Sequence, residues 1–351
     1  MGARKSDGLK VFAYYDTGHE FPEEIAMAAG FTPYKILGDV HEPTDLADQY
    51  VHNYICPFSR SALTEGMMKS GEWAGIAFCH GCDTTNNQYD IWKYHVETPF
   101  LYWINTPANN NAAATKFHLH ELRRFISHLE GKLGVKVTDA TLKEAIMTSN
   151  RIKGLLRQLG GLRAKKDIPN PEYQKIMRKS VQTPKAELIK ELDSCLKDWQ
   201  SRPEFPSHMV PVLVTGSDIT YPEWMEALED AGLRCVRDDM SLGERYYARS
   251  IPETGDPAEA LVEYNSKIPQ PPTRMPFEAR LDYLFACLRE TPVKGVVFQN
   301  LKFCEPHLLD LPYMTDQVKK AGYKTIIIER EYTPVIDQQV VSRLETFREI
   351  L

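Results

Sequence analysis

Two cysteine-containing segments stand where a strand ends and a loop begins. The apolar residues 75–78 lead into a pair of cysteines that ends at Cys82, and the apolar residues 295–298 are followed a few positions later by Cys304. An acidic residue comes directly after Cys82 and after Cys304. In a parallel α/β sheet, ligands bind at the carboxyl ends of the strands. The pattern therefore predicts thiols at two such edges, placed for metal binding or redox chemistry.

A third cysteine, Cys56, stands directly before Pro57 and a helical pattern that Gly71 ends. Pro is favoured in the first turn of a helix, and Ser59 is expected to cap that turn. Cys56 would then lie at the positive end of the helix dipole, which favours a thiolate over a thiol. We therefore expect Cys56 to be a reactive or metal-binding residue.

Cys79 and Cys82 form a C-x-x-C pair, which suits a redox dithiol, half of a zinc site or part of an iron-sulfur site. Residues 83–87 are expected to continue as a loop, which argues against a redox pair that opens a helix directly. No second C-x-x-C pair is present, which argues against zinc. Single thiolates from separate loops suit an iron-sulfur cluster, with Cys56 and Cys304 as the further candidates.

The remaining cysteines fit a packing role, because free cysteine often serves as a small buried hydrophobe. Cys195, Cys235 and Cys287 fall within helices or strands and have apolar neighbours. Cys79 is the last residue of its strand, and we predict that it packs near a metal site without binding the metal.

Composition and charge exclude several classes of partner. The chain has 351 residues and a net charge of -6, from 48 acidic and 42 basic residues that are mixed along the sequence, so nucleic acid is not expected as a partner. No apolar run reaches the roughly 18 to 20 residues that cross a membrane, and no signal peptide is recognisable, so we expect a cytoplasmic protein. Seven cysteines, an odd number, do not suggest a disulfide framework. Gly2 fits a short myristoylation pattern that often matches by chance.

Strand and helix signals alternate through residues 1–133 and start again in residues 206–351, whereas residues 134–205 show helical spacing and little strand signal. The segments FPEEIAMAAGF and YPEWMEALEDAGL share an aromatic residue, Pro, Glu and an apolar helix that ends in Ala-Gly. The sequence predicts an α/β protein with two Rossmann-like parallel-sheet domains, distant copies of each other, joined by a helical region. Residues 252–276, which are rich in proline, are expected to form a surface loop.

With these motifs the sequence resembles the family of 2-hydroxyacyl-CoA dehydratase and benzoyl-CoA reductase subunits. The matching features are YICPFSRSAL around Cys56, Cys82-Asp83 after a strand, GVVFQNLKFCEPHLLDLPYM around Cys304, and the opening strand with FPEE and AAGF. The resemblance covers nearly the whole chain and is specific as a set of motifs. It implies one 4Fe-4S cluster in the cleft between two domains, held by Cys56, Cys82 and Cys304.

The same resemblance implies a chemistry and partners. An ATP-hydrolysing iron-sulfur activator protein would send an electron through the cluster to an acyl-CoA or aromatic-CoA substrate, and a ketyl radical would lead to dehydration or ring reduction. A homologous second subunit is expected, and the segments around the cysteines are closer to the smaller subunit of such pairs. Two alternatives stay open, a non-catalytic electron-relay or cluster-carrier subunit and a dithiol oxidoreductase that uses Cys79 and Cys82.

His19, followed by Glu20, comes shortly after the first strand. If that strand is central, His19 faces the cleft and could donate a proton to an oxyanion or a departing hydroxide. A capping or surface role is the alternative. The sequence has neither a Walker A motif nor a GxGxxG motif, so ATP hydrolysis is expected from a partner and a nicotinamide cofactor is not expected.

Overall fold

The computed structural model describes residues 10–351, and the myristoylation pattern at Gly2 lies outside them. Two four-stranded parallel sheets form the centres of two α/β units. The first sheet has the order β2-β1-β3-β4, and its strands are β1 Val11–Tyr15, β2 Thr32–Lys35, β3 Trp73–Cys79 and β4 Leu101–Ile104. The second has the order β6-β5-β7-β8, with β5 Val210–Gly216, β6 Leu233–Asp239, β7 Gly295–Leu301 and β8 Lys324–Arg330. The two orders are equivalent, and the predicted fold class is confirmed.

Helices cover the sheets and connect them. The first unit contains α1 Glu23–Ala28, α2 Pro57–Lys69, α3 Asp83–His95 and α4 Ala112–Leu133. The helical region contains α5 Asp139–Leu162, α6 Asn170–Ser180 and α7 Lys185–Ser201. The second unit contains α8 Glu223–Asp230, α9 Pro257–Lys267, α10 Phe277–Glu290, α11 Glu305–Lys320 and α12 Gln338–Ile350.

Local sequence accounts for most of these elements. All residues of β3 and β7 are buried, as expected for parallel strands with helices on both faces. The long helix α4 begins where the Asn111 side chain accepts a hydrogen bond from the Ala114 backbone, and it ends at Gly134, which has a positive φ. Thr138 and Thr141 form a reciprocal cap at the start of α5.

The prediction of a surface loop at residues 252–276 is wrong, because this segment contains α9. Asp256 caps the helix and Pro257 occupies its first turn, so the proline marks a helix start rather than a loop. Leu261 and Tyr264 pack with the core of the first sheet and α4. The chain thus returns from the second unit to complete the core of the first.

Two local predictions around the cysteines are also wrong. Residues 83–87 are helical, because α3 begins directly after Cys82 and has Asp83 in its first turn, where a carboxylate is favoured. Ser59 does not cap α2, since Cys56 is the N-cap residue and Ser59 is buried within the first turn. None of the helices within residues 10–351 combines the length and the apolar character that a membrane span requires.

Candidate functional site

Three helices begin at cysteines that face one cleft. Cys56, Cys82 and Cys304 are the N-cap residues of α2, α3 and α11, and no side-chain capping bond is made at any of them. All three line the same cleft, which lies between the two α/β units. Cys82 and Cys304 follow the third strand of their respective units, so the equivalent topology places them at matching sheet edges. The structure therefore brings together the three cysteines that the sequence singled out.

The cleft has an apolar wall and encloses about 760 Å³ of empty space, counting its open mouth. Tyr15 and Phe58 contribute to the wall from the first unit, and Leu301 and Phe303 contribute from the second. Phe303 has a left-handed backbone with φ of 62°, which is rare for a bulky residue. This turn directly precedes Cys304, and such local strain is typical of functional sites.

Burial determines the protonation state of the cysteine thiols in the cleft. It raises the pKa of Cys56 to about 12, and the neighbouring Cys304 and Cys82 add to the shift. The pKa of Cys304 is raised as well, again mainly by burial. The expectation that the helix dipole would favour a Cys56 thiolate is therefore wrong for the metal-free chain, because desolvation outweighs the dipole. A metal centre would displace these protons, since it binds the thiolate.

The three cysteines form a donor set of the kind that iron-sulfur clusters use. Within the described part of the chain, no three Cys, His, Asp or Glu side chains come close enough to share one metal ion. A 4Fe-4S cluster takes each thiolate at a different iron, so its ligands stand farther apart than the ligands of one ion. The hydroxyl of Thr85 lies 3.3 Å from the Cys82 sulfur, as a hydrogen-bond donor to a cluster ligand would.

The other cysteines do not reach the cleft. Cys79 is fully buried within the core of the first sheet, and its pKa is raised by burial and by the Asp16 carboxylate. Cys235 and Cys287 are also buried, as a packing role predicts, whereas Cys195 is only partly buried against the core of the helical region. None of the four is among the residues that line the cleft.

His19 is not brought to the cysteine cleft. It is buried, its Nε2 atom pairs with the carbonyl of Ser241, and its ring lies 4.8 Å from the ring of Tyr246. Burial lowers the pKa of His19 to about 3, so its imidazole is neutral. His19 lines a separate small cavity beside α4 and α9. Its catalytic role stays a prediction, and this geometry does not support it.

Sequence reasoning missed a set of buried charges under the cleft. Lys35 Nζ donates to Asp16 Oδ1 over 2.6 Å, and each residue is 1% exposed. Burial alone would raise the pKa of Asp16, but Lys35 outweighs it and the pKa is lowered. Asp218 lines the cleft, and burial raises its pKa against the effect of Lys35. The sequence held a signal for the two aspartates. Asp16 and Asp218 follow the equivalent strands β1 and β5, and each stands beside a small hydroxyl residue and a glycine.

The lining of the cleft is acidic. Asp83, Asp218 and Glu305 are among its residues, and none of the lining residues is Lys or Arg. A carboxylate or phosphate inside the cleft would therefore have no cationic side chain to pair with, and burying an unpaired charge is costly. The side chains that line the cleft thus carry negative charge, whereas the N-termini of α2, α3 and α11 present backbone N–H groups to it.

Comparisons with known proteins agree on one group of relatives. Residues 19–351 match the family model described as 2-hydroxyglutaryl-CoA dehydratase, D-component. A benzoyl-CoA reductase subunit from Thauera aromatica is 26% identical, over 88% of this chain and 82% of the relative. The beta subunit of (R)-phenyllactyl-CoA dehydratase from Clostridium sporogenes is 24% identical, over 94% and 89%. The beta subunit of (R)-2-hydroxyglutaryl-CoA dehydratase from Acidaminococcus fermentans is 23% identical, over 83% and 79%.

Proposed function

The chain belongs to the family of 2-hydroxyglutaryl-CoA dehydratase D-components, and on that basis we propose that it is the iron-sulfur subunit of a complex that acts on CoA thioesters. In this proposal one 4Fe-4S cluster is held by Cys56, Cys82 and Cys304. The observation that supports it most directly is that three cysteines at helix N-cap positions line one cleft between two α/β units.

Bound in this cleft, the cluster would supply single electrons of low potential. The residues of the chain would shape the cleft and hold the cluster ligands. The apolar wall formed by Tyr15, Phe58 and Leu301 would limit the access of water, and Thr85 would hold the Cys82 sulfur by a hydrogen bond. With three protein ligands, one iron of such a cluster would be left without a protein ligand, and an open coordination site of this kind lets other metal enzymes bind water or substrate. The substrate would be an acyl-CoA or aromatic-CoA ester that is dehydrated or reduced through a ketyl radical.

The proposal includes two partners in the cytoplasm. The name of each relative describes it as one subunit of its enzyme, which supports a homologous second subunit for this chain. Electrons would come from an ATP-hydrolysing iron-sulfur activator protein, since this sequence has no Walker A motif of its own.

A second candidate is an electron-relay subunit that does not bind the CoA ester itself. The acidic lining favours it, because Asp83, Asp218 and Glu305 stand in the cleft and no lining residue is cationic. Phosphates normally pair with Lys or Arg side chains, and the backbone N–H groups at the N-termini of α2, α3 and α11 would face the thiolates instead. In this case the second subunit would bind the substrate and this chain would deliver the electron.

The dithiol alternative is disfavoured by the position of Cys79. A redox dithiol needs an accessible thiolate of low pKa, but Cys79 is fully buried and its pKa is raised well above the usual value. The beginning of α3 directly after Cys82 resembles a redox motif more than the sequence suggested. The burial of the first cysteine nevertheless leaves Cys82 as the one member of the pair that reaches the cleft.

Iron analysis of the chain purified without oxygen tests the proposal. Wild-type protein should be brown and carry about four irons per chain, and alanine at position 56, 82 or 304 should remove most of the iron. Cys79→Ala is the matched control, because this thiol is adjacent in sequence but buried in the core. It should keep the iron with at most a small loss of stability.

Three outcomes of this experiment would contradict the proposal. They are a colourless protein with one tightly bound zinc, iron that survives all three substitutions, and iron that is lost in Cys79→Ala. Assays of acyl-CoA turnover with the second subunit and the activator then separate a substrate-binding role from an electron-relay role. Direct binding of the CoA ester to this chain alone would favour the first.

A further inference from the structure

The first turn of α11 places a histidine beside one of the three cleft cysteines. Cys304 is the N-cap residue of this helix, and His307 lies in the turn that follows. The backbone N–H of His307 faces the Cys304 sulfur and opposes the rise in the pKa of that thiol. His307 also lines the cysteine cleft. Its imidazole therefore lies close to any group that the cysteines bind.

The contact between His307 and Arg280 fixes which ring nitrogen carries the proton. Arg280 Nη2 lies 3.1 Å from His307 Nδ1. A guanidinium has N–H donors and no acceptor, so Nδ1 must accept this hydrogen bond with its lone pair. An imidazole whose Nδ1 accepts a hydrogen bond is neutral and carries its proton on Nε2. His307 is thus held as the Nε2–H tautomer.

Buried contacts hold Arg280 in this position. It belongs to α10, it is 4% exposed, and its Nη1 atom donates to the Asp310 carboxylate in α11. Burial and three nearby arginines lower the pKa of His307 well below its ordinary value. They are Arg245, Arg280 and Arg330. These charges oppose a second proton on the ring, so the imidazole stays neutral and keeps its contact with Arg280.

The Nε2 atom is the polar atom of the His307 ring that is left for the cleft. Arg280 and Asp310, on the Nδ1 side of the ring, do not line the cleft, whereas His307 does and is partly exposed. Among residues 10–351, Arg280 is the hydrogen-bond partner of this ring. The Nε2–H group is therefore a donor whose partner must come from the contents of the cleft.

From this arrangement we propose that the Nε2–H group of His307 donates a hydrogen bond to the group bound by the three cleft cysteines, and that Arg280 positions this donor. The inference rests on the proposed function, in which that group is a 4Fe-4S cluster. Hydrogen bonds to the sulfurs of such a cluster raise its reduction potential, because they stabilise the negative charge of the added electron. A neutral imidazole supplies this donor without adding a positive charge to the cleft.

Two substitutions of His307 test the inference in the full chain purified without oxygen. His307→Leu removes the donor, so a redox titration should give a lower cluster potential than that of the wild type. His307→Gln keeps a donor, because its carbonyl oxygen can accept from Arg280 while its amide N–H donates to the cleft. Its potential should lie close to that of the wild type. Both variants should retain the iron, since neither changes a cysteine ligand.

Nuclear magnetic resonance of the metal-free chain gives a readout that needs no cluster. With histidine labelled by the heavy nitrogen isotope, the signals of His307 are those that disappear in His307→Gln. At neutral pH they should show an unprotonated Nδ1 and a protonated Nε2. In Arg280→Met the two signals should move toward each other, because Nδ1 has lost its donor and the two tautomers can exchange.

His118→Leu is the matched control for the redox titration. His118 is also a buried histidine near an arginine, and burial with the charge of Arg274 lowers its pKa to about 3. It does not line the cysteine cleft. This substitution should leave the cluster potential unchanged at neutral pH.

The outcomes separate this inference from the proposed function. Equal potentials in the wild type and His307→Leu would overturn the inference, and so would an equal shift in His118→Leu. A proton on Nδ1 of His307 at neutral pH would overturn it without reference to the cluster. If His307→Leu does not fold, an unchanged potential in Arg280→Met would overturn it. Failure of the wild-type chain to bind iron would instead overturn the proposed cluster, while the nitrogen signals still decide the tautomer.

Discussion

Replacing Lys35 with methionine should destabilise the whole first unit. Lys35 is the counter-ion of Asp16, with 2.6 Å between Nζ and Oδ1, and both side chains are almost completely buried. Methionine fills similar space without the charge. The substitution leaves the Asp16 carboxylate in the core with one remaining hydrogen bond, which it accepts from the Phe21 backbone at 2.8 Å.

The expected loss is about 3 to 5 kcal/mol, the usual effect of removing one partner from a buried ion pair. A loss of about 4 kcal/mol with a denaturant slope of about 3 kcal/mol per molar lowers the urea midpoint by more than about 1 M. An exposed ion pair serves as the control for this variant. Lys166 binds Glu204 at the same distance of 2.6 Å, but the Glu204 side chain is 81% exposed. Lys166→Met should cost no more than about 1 kcal/mol.

The pH dependence of this loss has a definite sign. In the wild type the pKa of Asp16 is lowered, so its contribution to stability is present above its unfolded pKa and is lost as the pH falls below it. Without Lys35, burial raises the pKa of Asp16 instead. The destabilisation of Lys35→Met should therefore be largest near neutral pH and become smaller in acid, where Asp16 takes up a proton.

Urea denaturation of the metal-free chain, followed by circular dichroism at several pH values, measures both effects. The double variant Asp16→Asn with Lys35→Met should recover part of the lost stability, because it removes the unpaired charge. A free energy of unfolding for Lys35→Met within about 1 kcal/mol of wild type would refute the reasoning. So would a loss that does not change with pH.

Three further predictions concern single sites. Gly216→Ala should lower stability by more than about 2 kcal/mol in thermal scans, because φ is +127° and the new Cβ would lie 1.7 Å from the Gln299 carbonyl; an unchanged melting temperature would contradict this. Burial lowers the pKa of His118 from 6.5 to about 3, so the free energy of unfolding should decline as the pH falls from 6.5 toward 3. When denaturation is measured at each pH, His118→Leu should show a smaller decline of this free energy than the wild type. Thr85→Val should lower the reduction potential of the proposed cluster in a redox titration, because the hydroxyl 3.3 Å from the Cys82 sulfur is lost; equal potentials would rule out this hydrogen bond.

Much of the fold could be predicted because its signals lie in consecutive residues. The helical spacing in residues 134–205 corresponds to α5, α6 and α7, and the restart of strand and helix signals after residue 205 corresponds to a second sheet of equivalent order. The wrong predictions concern local sequence signals that are compatible with two different structures. Proline in residues 252–276 suggested a loop but begins α9, and the polar residues 83–87 suggested a loop but form the first turns of α3.

The candidate site was predictable in part for the same reason. Cysteines at the ends of elements, next to Pro, Asp or Glu, are visible in sequence, and the structure places Cys56, Cys82 and Cys304 in one cleft. The identity of the group they bind stays a prediction. The position of His19 was not predictable, because a backbone turn with positive φ and a contact with the Ser241 carbonyl, far along the chain, fix its ring.

The sequence by itself determined the two α/β units, the helical region and the three cysteines worth testing, since periodicity, capping residues and strand ends are local properties. Only the tertiary structure decided which groups share an environment. The burial of Asp16 with Lys35, the exclusion of Cys79 from the cleft and the placement of Glu20 beside His118 in a separate cavity depend on contacts between segments far apart in the chain. Burial removes water from around a side chain, which shifts its pKa and makes an unpaired charge costly. The charge of each group therefore depends on how the tertiary structure buries it.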